Sequence, residues 1–379
     1  MSAVSEVTPI LFLGAEGDSP GEKLVDACHR AITLDVLERL RAAGLGCPVL
    51  ATSRREMADE VAGLAHVAVD REAFHFGRRL RDVVQEFRIS HPYYLGRGYG
   101  ALMSGDAFGR IAQALSLRQN TVITNNYFSA DLVAFTPGRA LEAVSPPLND
   151  NALARSLHQE AGLEVLNLPR CAATLFDVDS PSDLWPLVAH PGTGPHTASY
   201  LRSLGLDTSR VERLLRLLSD SSAEVVVAGR VGSFVWSRLE ESTYCRVRVL
   251  SEERGMKGDG RDEAGTVRSI LGFHLAQVGP RGFFQELAQL GQGAILDTRV
   301  IFSHLRLRPS AADRFHSDLG WPHLIQDPTV REFTEAALEA PIPILLGGHS
   351  MVSGGILALL EAGGLAKPAP VFSFLEPFS

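Results

Sequence analysis

Strand-like apolar runs and amphipathic helical runs alternate through the first half of this chain, and that alternation restricts the fold more than any other feature. "PILFL" reads as a buried strand. After a polar, glycine-bearing loop, "GEKLVDACHRAITLDVLERLRAAG" repeats Leu24, Cys28, Ile32, Val36, Leu37 and Leu40 at helical spacing and stops at Gly44. "PVLATS" returns as a strand, followed by "YYLGRGYGALM", "NTVITNN", "ADLVAFTP", "LEVLNLP" and "AATLFDVD", with "SGDAFGRIAQALS" and "NDNALARSLHQEAG" as capped helices between them. Repeated strand–helix–strand units put helices on both faces of a mostly parallel sheet, so a three-layer α/β fold is expected.

With 379 residues the chain exceeds one ordinary core, and its texture changes near residue 190, where "HPGTGPH" has turn chemistry. The expected division is residues 1–190 and a helix-rich α/β second half, 191–379. In that half "TASYLRSLG", "SRVERLLRLLSD", "EAGTVRSILGFHLAQV", "RGFFQELAQLG" and "VREFTEAALEA" are amphipathic, and "AEVVVAG" and "PIPILLGG" are strand-like. Hydrophobic residues at 45% and charged residues at 21% supply a real core and argue against disorder. A net charge of -8 without clustered Lys and Arg gives no footprint for nucleic acid. No long apolar run predicts a membrane span. Cys28, Cys47, Cys171 and Cys245 are scattered without metal-ligand spacing, and the N-terminus does not read as a signal peptide. A reduced, cytoplasmic setting is therefore expected.

The stretch "FDVDSPSDL", Phe176 to Leu184, concentrates acid. On a strand, Asp177 and Asp179 would point to one face at its carboxyl end, where open α/β sheets bind ligands. Two such carboxylates suit magnesium with room left for phosphates, but solvated strand-end acids fit the spacing equally. Asp183 has a structural reading: Ser180 as N-cap, Pro181 at the first helical position, and Asp183 closing a capping box.

This run resembles the D-x-D-[ST]-P-x-D-L segment near the end of the GT-A-like, nucleotide-diphospho-sugar-transferase-like nucleotidyltransferase domain of phospholactate guanylyltransferases and relatives of molybdenum-cofactor guanylyltransferases. The order of elements from residue 8 to 187 agrees. The resemblance implies that Asp177 and Asp179 hold Mg2+, and that "GAEGDSPGEK" cradles a nucleoside triphosphate through Gly14, Gly17 and Lys23. Glu16, Asp18 and Glu22 bring unwanted negative charge to that loop, and the family's loop arginine is missing, so a plain surface turn is an equal reading. The family's Asp-x-Pro after a middle strand is also missing: "YLGRGYGALMSGD" offers Arg97 for a phosphate or carboxylate, and Asp106 lies too far along. Asn125 and Asn126 suit a base or sugar, or a turn; Asn149 or Asp150 suits a helix cap.

In the second half "LLGGHSMVSGG" invites comparison with the G-x-S-x-G elbow of hydrolases, but Val352 replaces the needed glycine and no histidine follows Ser350. A glycine loop with Ser353 as N-cap remains, able to bind an anion or simply to pack closely. Asp297 and Arg299 would share a strand face as an internal salt bridge. "EERGMKGDGR" is a charged loop.

Two functions stand at this stage. One is magnesium-dependent transfer of a nucleotidyl group from GTP or CTP to a small phosphorylated or hydroxylated acceptor, by a protein compatible with a homo-oligomer. The alternative is a non-catalytic nucleotide-binding or regulatory protein on a degenerate version of the same fold.

Overall fold

The seven strands of the first sheet, among the described residues, are β1 (Val7–Leu13), β2 (Val49–Thr52), β3 (His66–Val69), β4 (His91–Leu95), β5 (Thr121–Thr124), β6 (Leu132–Thr136) and β7 (Glu164–Asn167). The computed structural model describes residues 3–14, 17–70 and 73–371. The order is β3-β2-β1-β4-β6-β5-β7, with every pairing parallel except those of β6 to β4 and β5. β1 is apolar and buried from Pro9 to Leu13 because both its faces are covered there. Leu11 and Leu13 join the helices Pro20–Ala42 and Gly105–Ser116 on one side. Ile10 and Phe12 join Phe76–Glu86 and Leu153–Gln159 on the other, completing three layers.

A second sheet, all parallel, follows: β8 (Glu224–Gly229), β9 (Arg246–Ser251), β10 (Gly293–Asp297) and β11 (Ile344–Gly347), in the order β11-β10-β8-β9. Val225, Val227, Ile295 and Leu345 pack under one helix layer; Val226, Ala228, Ala294 and Leu296 pack under the other. The segment Ile270–Leu290 is two helices, since Gly279 has φ 71° and Pro280 starts the second.

Packing runs across residue 190. Helix Pro195–Ser203 lies on helix Pro20–Ala42, where Tyr200 Oη donates to the Leu24 carbonyl at 2.8 Å. Phe315, Leu357 and Ala358 complete the core around Cys28 and Phe176. No helix among the described residues is long and apolar enough to cross a membrane.

Three expectations need correction. "YYLGRGYGALM" is strand only to Leu95, because the glycines that follow turn the chain, with φ 77° at Gly98 and 86° at Gly100. "AATLFDVD" is not a strand: Ala172–Leu175 forms a helical turn, and a single bridge ties Asp177 to Tyr99. Asp297 and Arg299 do not share a strand face, since β10 ends at Asp297 and a helix, Thr298–His304, begins immediately.

Candidate functional site

The first sheet reverses its winding direction between β1 and β4, which opens a crevice at the carboxyl ends of those strands. Gly14 follows β1 and Arg97 follows β4, and a Cβ at Gly14 would stand 4.0 Å from Arg97 Nη1. At Gly98 a side chain would meet the Val178 carbonyl oxygen at 2.6 Å and His29 Nε2 at 2.9 Å, so only glycine allows the acidic turn to lie against the crevice. His29 Nε2–H donates to the Val178 carbonyl at 2.6 Å. Burial, then the Arg97 charge, push its pKa down to about 4, so His29 is a neutral anchor for the turn.

An acid does lie beside the end of β4, at the residue that precedes β6. β6 runs antiparallel to β4 and pairs Leu95 with Leu132, which sets Asp131 beside the β4 end; Gly96 N–H donates to the Asp131 carbonyl at 2.7 Å. Asn125 orients this residue. Its Nδ2 donates to Asp131 Oδ2 and to the Thr174 carbonyl, both at 3.1 Å, and its Oδ1 accepts from the N–H groups of Asp131 and Leu132, both at 3.0 Å. Asn125 is buried with its amide engaged, so it positions an acid and does not present itself to a base. Asp150 Oδ2 accepts from Tyr94 Oη at 2.9 Å, so Asp150 makes a tertiary contact where a helix cap was expected.

Asp131, Asp150, Asp177 and Asp179 thus converge and repel one another. Burial, then Asp150 and Asp179, push Asp131 up to about 8. Burial, then the charges of Asp179 and Asp131, raise Asp177 well above the ordinary carboxyl range. Burial raises Asp150 as well, against the hydrogen bond from Tyr94. Asp177 is partly buried and Asp179 exposed at the mouth. Such a cluster favours a divalent cation, which would let the carboxylates ionise together. Asp177 and Asp179 carry the oxygen donors that magnesium prefers, and as a pair they would leave its remaining positions to water and phosphate.

Asp183 behaves as the spacing predicts. Its Oδ2 accepts from the N–H groups of Ser180 at 2.8 Å and Asp179 at 3.0 Å, at the head of Pro181–Asp183 and the helix Leu184–Ala189. Burial, then the Asp179 charge, push it up to about 7.

The first loop is less committed to a ligand. Glu22 accepts from Ser19 N–H at 3.1 Å while its own N–H donates to Ser19 Oγ at 3.3 Å, and Gly17 leaves room for that carboxylate. Lys23 is exposed on the first helical turn and makes no ion pair among the described residues. Asp18 is exposed, and Glu16 lies outside the described residues. Asp106 is exposed and pairs with Arg110 along their own helix.

The carboxyl edge of the second sheet closes the cleft. Ser350 Oγ donates to the Asp177 carbonyl at 2.9 Å, and at Gly354 a Cβ would overlap the Leu175 carbonyl oxygen. Ser353 precedes helix Gly354–Ala362 but donates to the Ser350 carbonyl and makes no side-chain cap. Asp297 pairs with Arg230, at 2.6 and 3.1 Å, and Arg299 with Asp318, at 2.9 and 2.5 Å. The arginine partners come from other elements because the strand ends where the expected pair would begin.

Among the described residues, Asp35, Glu38 and His196 form the group whose possible ligand atoms lie within 4.8 Å of one another. Asp35 is already engaged: it accepts from His196 N–H and Thr197 N–H, each at 2.9 Å, and from Thr197 Oγ1 at 2.6 Å, holding the start of helix Pro195–Ser203.

No protein-family model matches the chain, and no curated protein matches it. Among solved structures it is similar to a cytidylyltransferase from Leptospira borgpetersenii, with TM-score 0.35 and 13% identity over 52% of this chain and 93% of the other. It is also similar to a Listeria monocytogenes protein described as a candidate UDP-N-acetylglucosamine 2-epimerase, with TM-score 0.23 and 10% identity over 97% of this chain and 92% of the other.

Proposed function

We propose that this protein transfers a nucleotidyl group from a nucleoside triphosphate, GTP or CTP, to a small phosphorylated or hydroxylated acceptor, with residues 1–190 carrying the nucleotide. The observation that carries this reading is the group of mutually repelling acids, Asp131, Asp150, Asp177 and Asp179, at the winding reversal of the first sheet. Magnesium bound by Asp177 and Asp179 would offset charge on the phosphate oxygens. Arg97, beside Gly14, and Lys23, exposed at the start of the following helix, would supply positive charge to a phosphate. The acceptor oxygen attacks the α-phosphorus in line; the new O–P bond forms as the bond to the β-phosphate oxygen breaks, and pyrophosphate leaves. A phosphate acceptor needs no general base, and the site's rigid hydrogen bonds, such as Asn125 to Asp131, favour positioning over proton transfer.

The non-catalytic alternative rests on the absence of an acid after β4 and on the acidic first loop. Asp131 supplies a carboxylate beside that position, which supports the enzyme. The test is titration of GTP and of CTP with and without magnesium, followed by pyrophosphate release on adding pools of small phosphorylated and hydroxylated compounds. Magnesium-dependent binding with release supports transfer. Absence of nucleotide binding overturns it, and binding without release under any acceptor pool returns the reading to a regulatory protein.

A further inference from the structure

The second sheet has its own winding reversal, between β8 and β10, and its carboxyl edge faces the acidic turn of the first. The floor of that crevice is electrically balanced. Arg230, buried behind Gly229, is paired to Asp297, and Arg299 beside Gly348 is paired to Asp318. Above the floor the cations are less fully paired: Asp262 lies near Lys257, and Asp318, Asp262 and Glu22 near Arg314, without a salt bridge to either among the described residues. Arg254 stands over Gly232, where a Cβ would be 3.6 Å from the guanidinium carbon, at the start of helix Ser233–Ser242. Lys257 follows in the same loop, and neither cationic head has an ion pair or hydrogen bond among the described residues. Arg314 comes from helix Ala311–Leu319, whose His316 accepts from Gly21 N–H at 3.4 Å, so this cation also borders the first loop.

The surroundings of Lys257 agree with that picture. Partial burial, then the nearby charges of Arg230, Arg314 and Arg299, push its pKa down, and Asp179 acts the other way. A lysine crowded by arginines with Asp179 nearby is a place for an anion, since the anion relieves repulsion among the cations and could share a metal with the acid.

We propose that the carboxyl edge of the second sheet binds a phosphate group of the substrate pair, with Lys257 and Arg254 as its charged contacts and Asp179 across the cleft. This rests on the nucleotidyl-transfer reading for its place in a reaction, and it explains why the first loop needs so little positive charge: the cations come from the other side. The phosphate is either that of the acceptor or the tail of the nucleotide.

Binding of inorganic phosphate and of tripolyphosphate to the full chain, in the absence of nucleotide and magnesium, separates the two sources by calorimetry. Phosphate binding marks the acceptor's group, and binding of tripolyphosphate alone marks the nucleotide's tail. In either case Lys257→Glu and Arg254→Glu are expected to weaken binding about tenfold or more, the loss of a charge-assisted contact. Both residues are exposed on a loop, so unchanged melting serves as the folding control. If neither variant changes the affinity of either probe, or neither probe binds the wild type, the proposal is overturned. Asp177→Asn separates this outcome from failure of the functional reading: it should leave metal-free phosphate binding intact while reducing magnesium-dependent nucleotide binding.

Discussion

Asn125 holds Asp131 from both ends: its amide nitrogen donates to the Asp131 carboxylate at 3.1 Å, and its amide oxygen accepts from the Asp131 backbone N–H at 3.0 Å. The pair fixes the carboxylate that stands at the entry to β6. Asn125→Ala should cost about 1–3 kcal/mol, because buried donors and acceptors lose their partner. It should also weaken magnesium-dependent nucleotide binding, while Asn125→Asp, which keeps the acceptor but adds a fifth charge to the cluster, should weaken it further. Chemical denaturation and nucleotide titration of the two variants check both effects.

The acidic turn divides into two roles at Ser180. Asp177→Asn and Asp179→Asn should reduce magnesium-dependent nucleotide binding with folding intact, and Asp177→Asn should raise the metal-free melting temperature by removing repulsion from Asp179 and Asp131. Ser180→Ala and Asp183→Ala should instead lower stability by on the order of 1 kcal/mol through the lost cap, with a small effect on the site. Binding that survives both Asp177→Asn and Asp179→Asn would remove the metal from the turn.

The acids and His29 act on stability over different pH ranges. Asp131 and Asp183 are raised from 3.8 to about 8 and about 7, so the folded state holds protons that the unfolded state has released; the stability they contribute is full below 3.8 and lost as pH rises through 7 and 8. His29 is lowered from 6.5 to about 4, so its contribution is full above 6.5 and lost as pH falls toward 4. Between 6.5 and 8 the acids act without opposition from His29. Metal-free protein should melt at falling temperature across that window, and excess magnesium should flatten the decline. A flat profile in chelator, or one that magnesium leaves unchanged, would mean that the cluster does not gather a cation.

Ser350 is placed to hold the turn and not to attack a substrate. Its hydroxyl donates to the Asp177 carbonyl, no histidine follows it, and Val352 is buried where a nucleophile elbow needs glycine. Ser350→Ala should cost about 1 kcal/mol. Labelling by a serine-directed fluorophosphonate should be the same in wild type and variant, and labelling lost on substitution would make Ser350 a nucleophile after all.

The layers of the fold were legible because their signals are local. β1, β2, β5 and β7 are short apolar runs, and helix Pro20–Ala42 shows its stripe over six turns. β3 and β9 are not legible because they are partly exposed edge strands, "HVAV" and "RVRVLS", without a continuous apolar run. The site was half legible. Asp177, Asp179 and Arg97 stand out by type and spacing, but Asp131 joins them because β6 is antiparallel, and strand direction is not written in "ADLVAFTP". Asn125 was legible as an amide at a strand end, but not that its partner is Asp131. Lys257 and Arg254 read as solvated loop charge until the second sheet's carboxyl edge is seen to face the first.

The two edges meet through a glycine, and this makes their apposition testable without touching a charge. At Gly354 a side chain would run into the backbone of Leu175 and Phe176, which cannot yield as a flexible side chain can. Gly354→Ala should therefore move helix Gly354–Ala362 away from the acidic turn, lowering stability by about 1–3 kcal/mol, the usual cost of overpacking. Loss of the Ser350 contact to Asp177 should follow, and with it magnesium-dependent nucleotide affinity. Gly109→Ala is the matched control: it lies inside helix Gly105–Ser116, where a Cβ would meet Ala43 at an ordinary 3.6 Å, so about 1 kcal/mol of stabilisation from helix propensity is expected. Thermal melts and nucleotide titrations of the two variants decide the matter. If Gly354→Ala melts lower but binds nucleotide as the wild type does, the second sheet braces the fold without shaping the site.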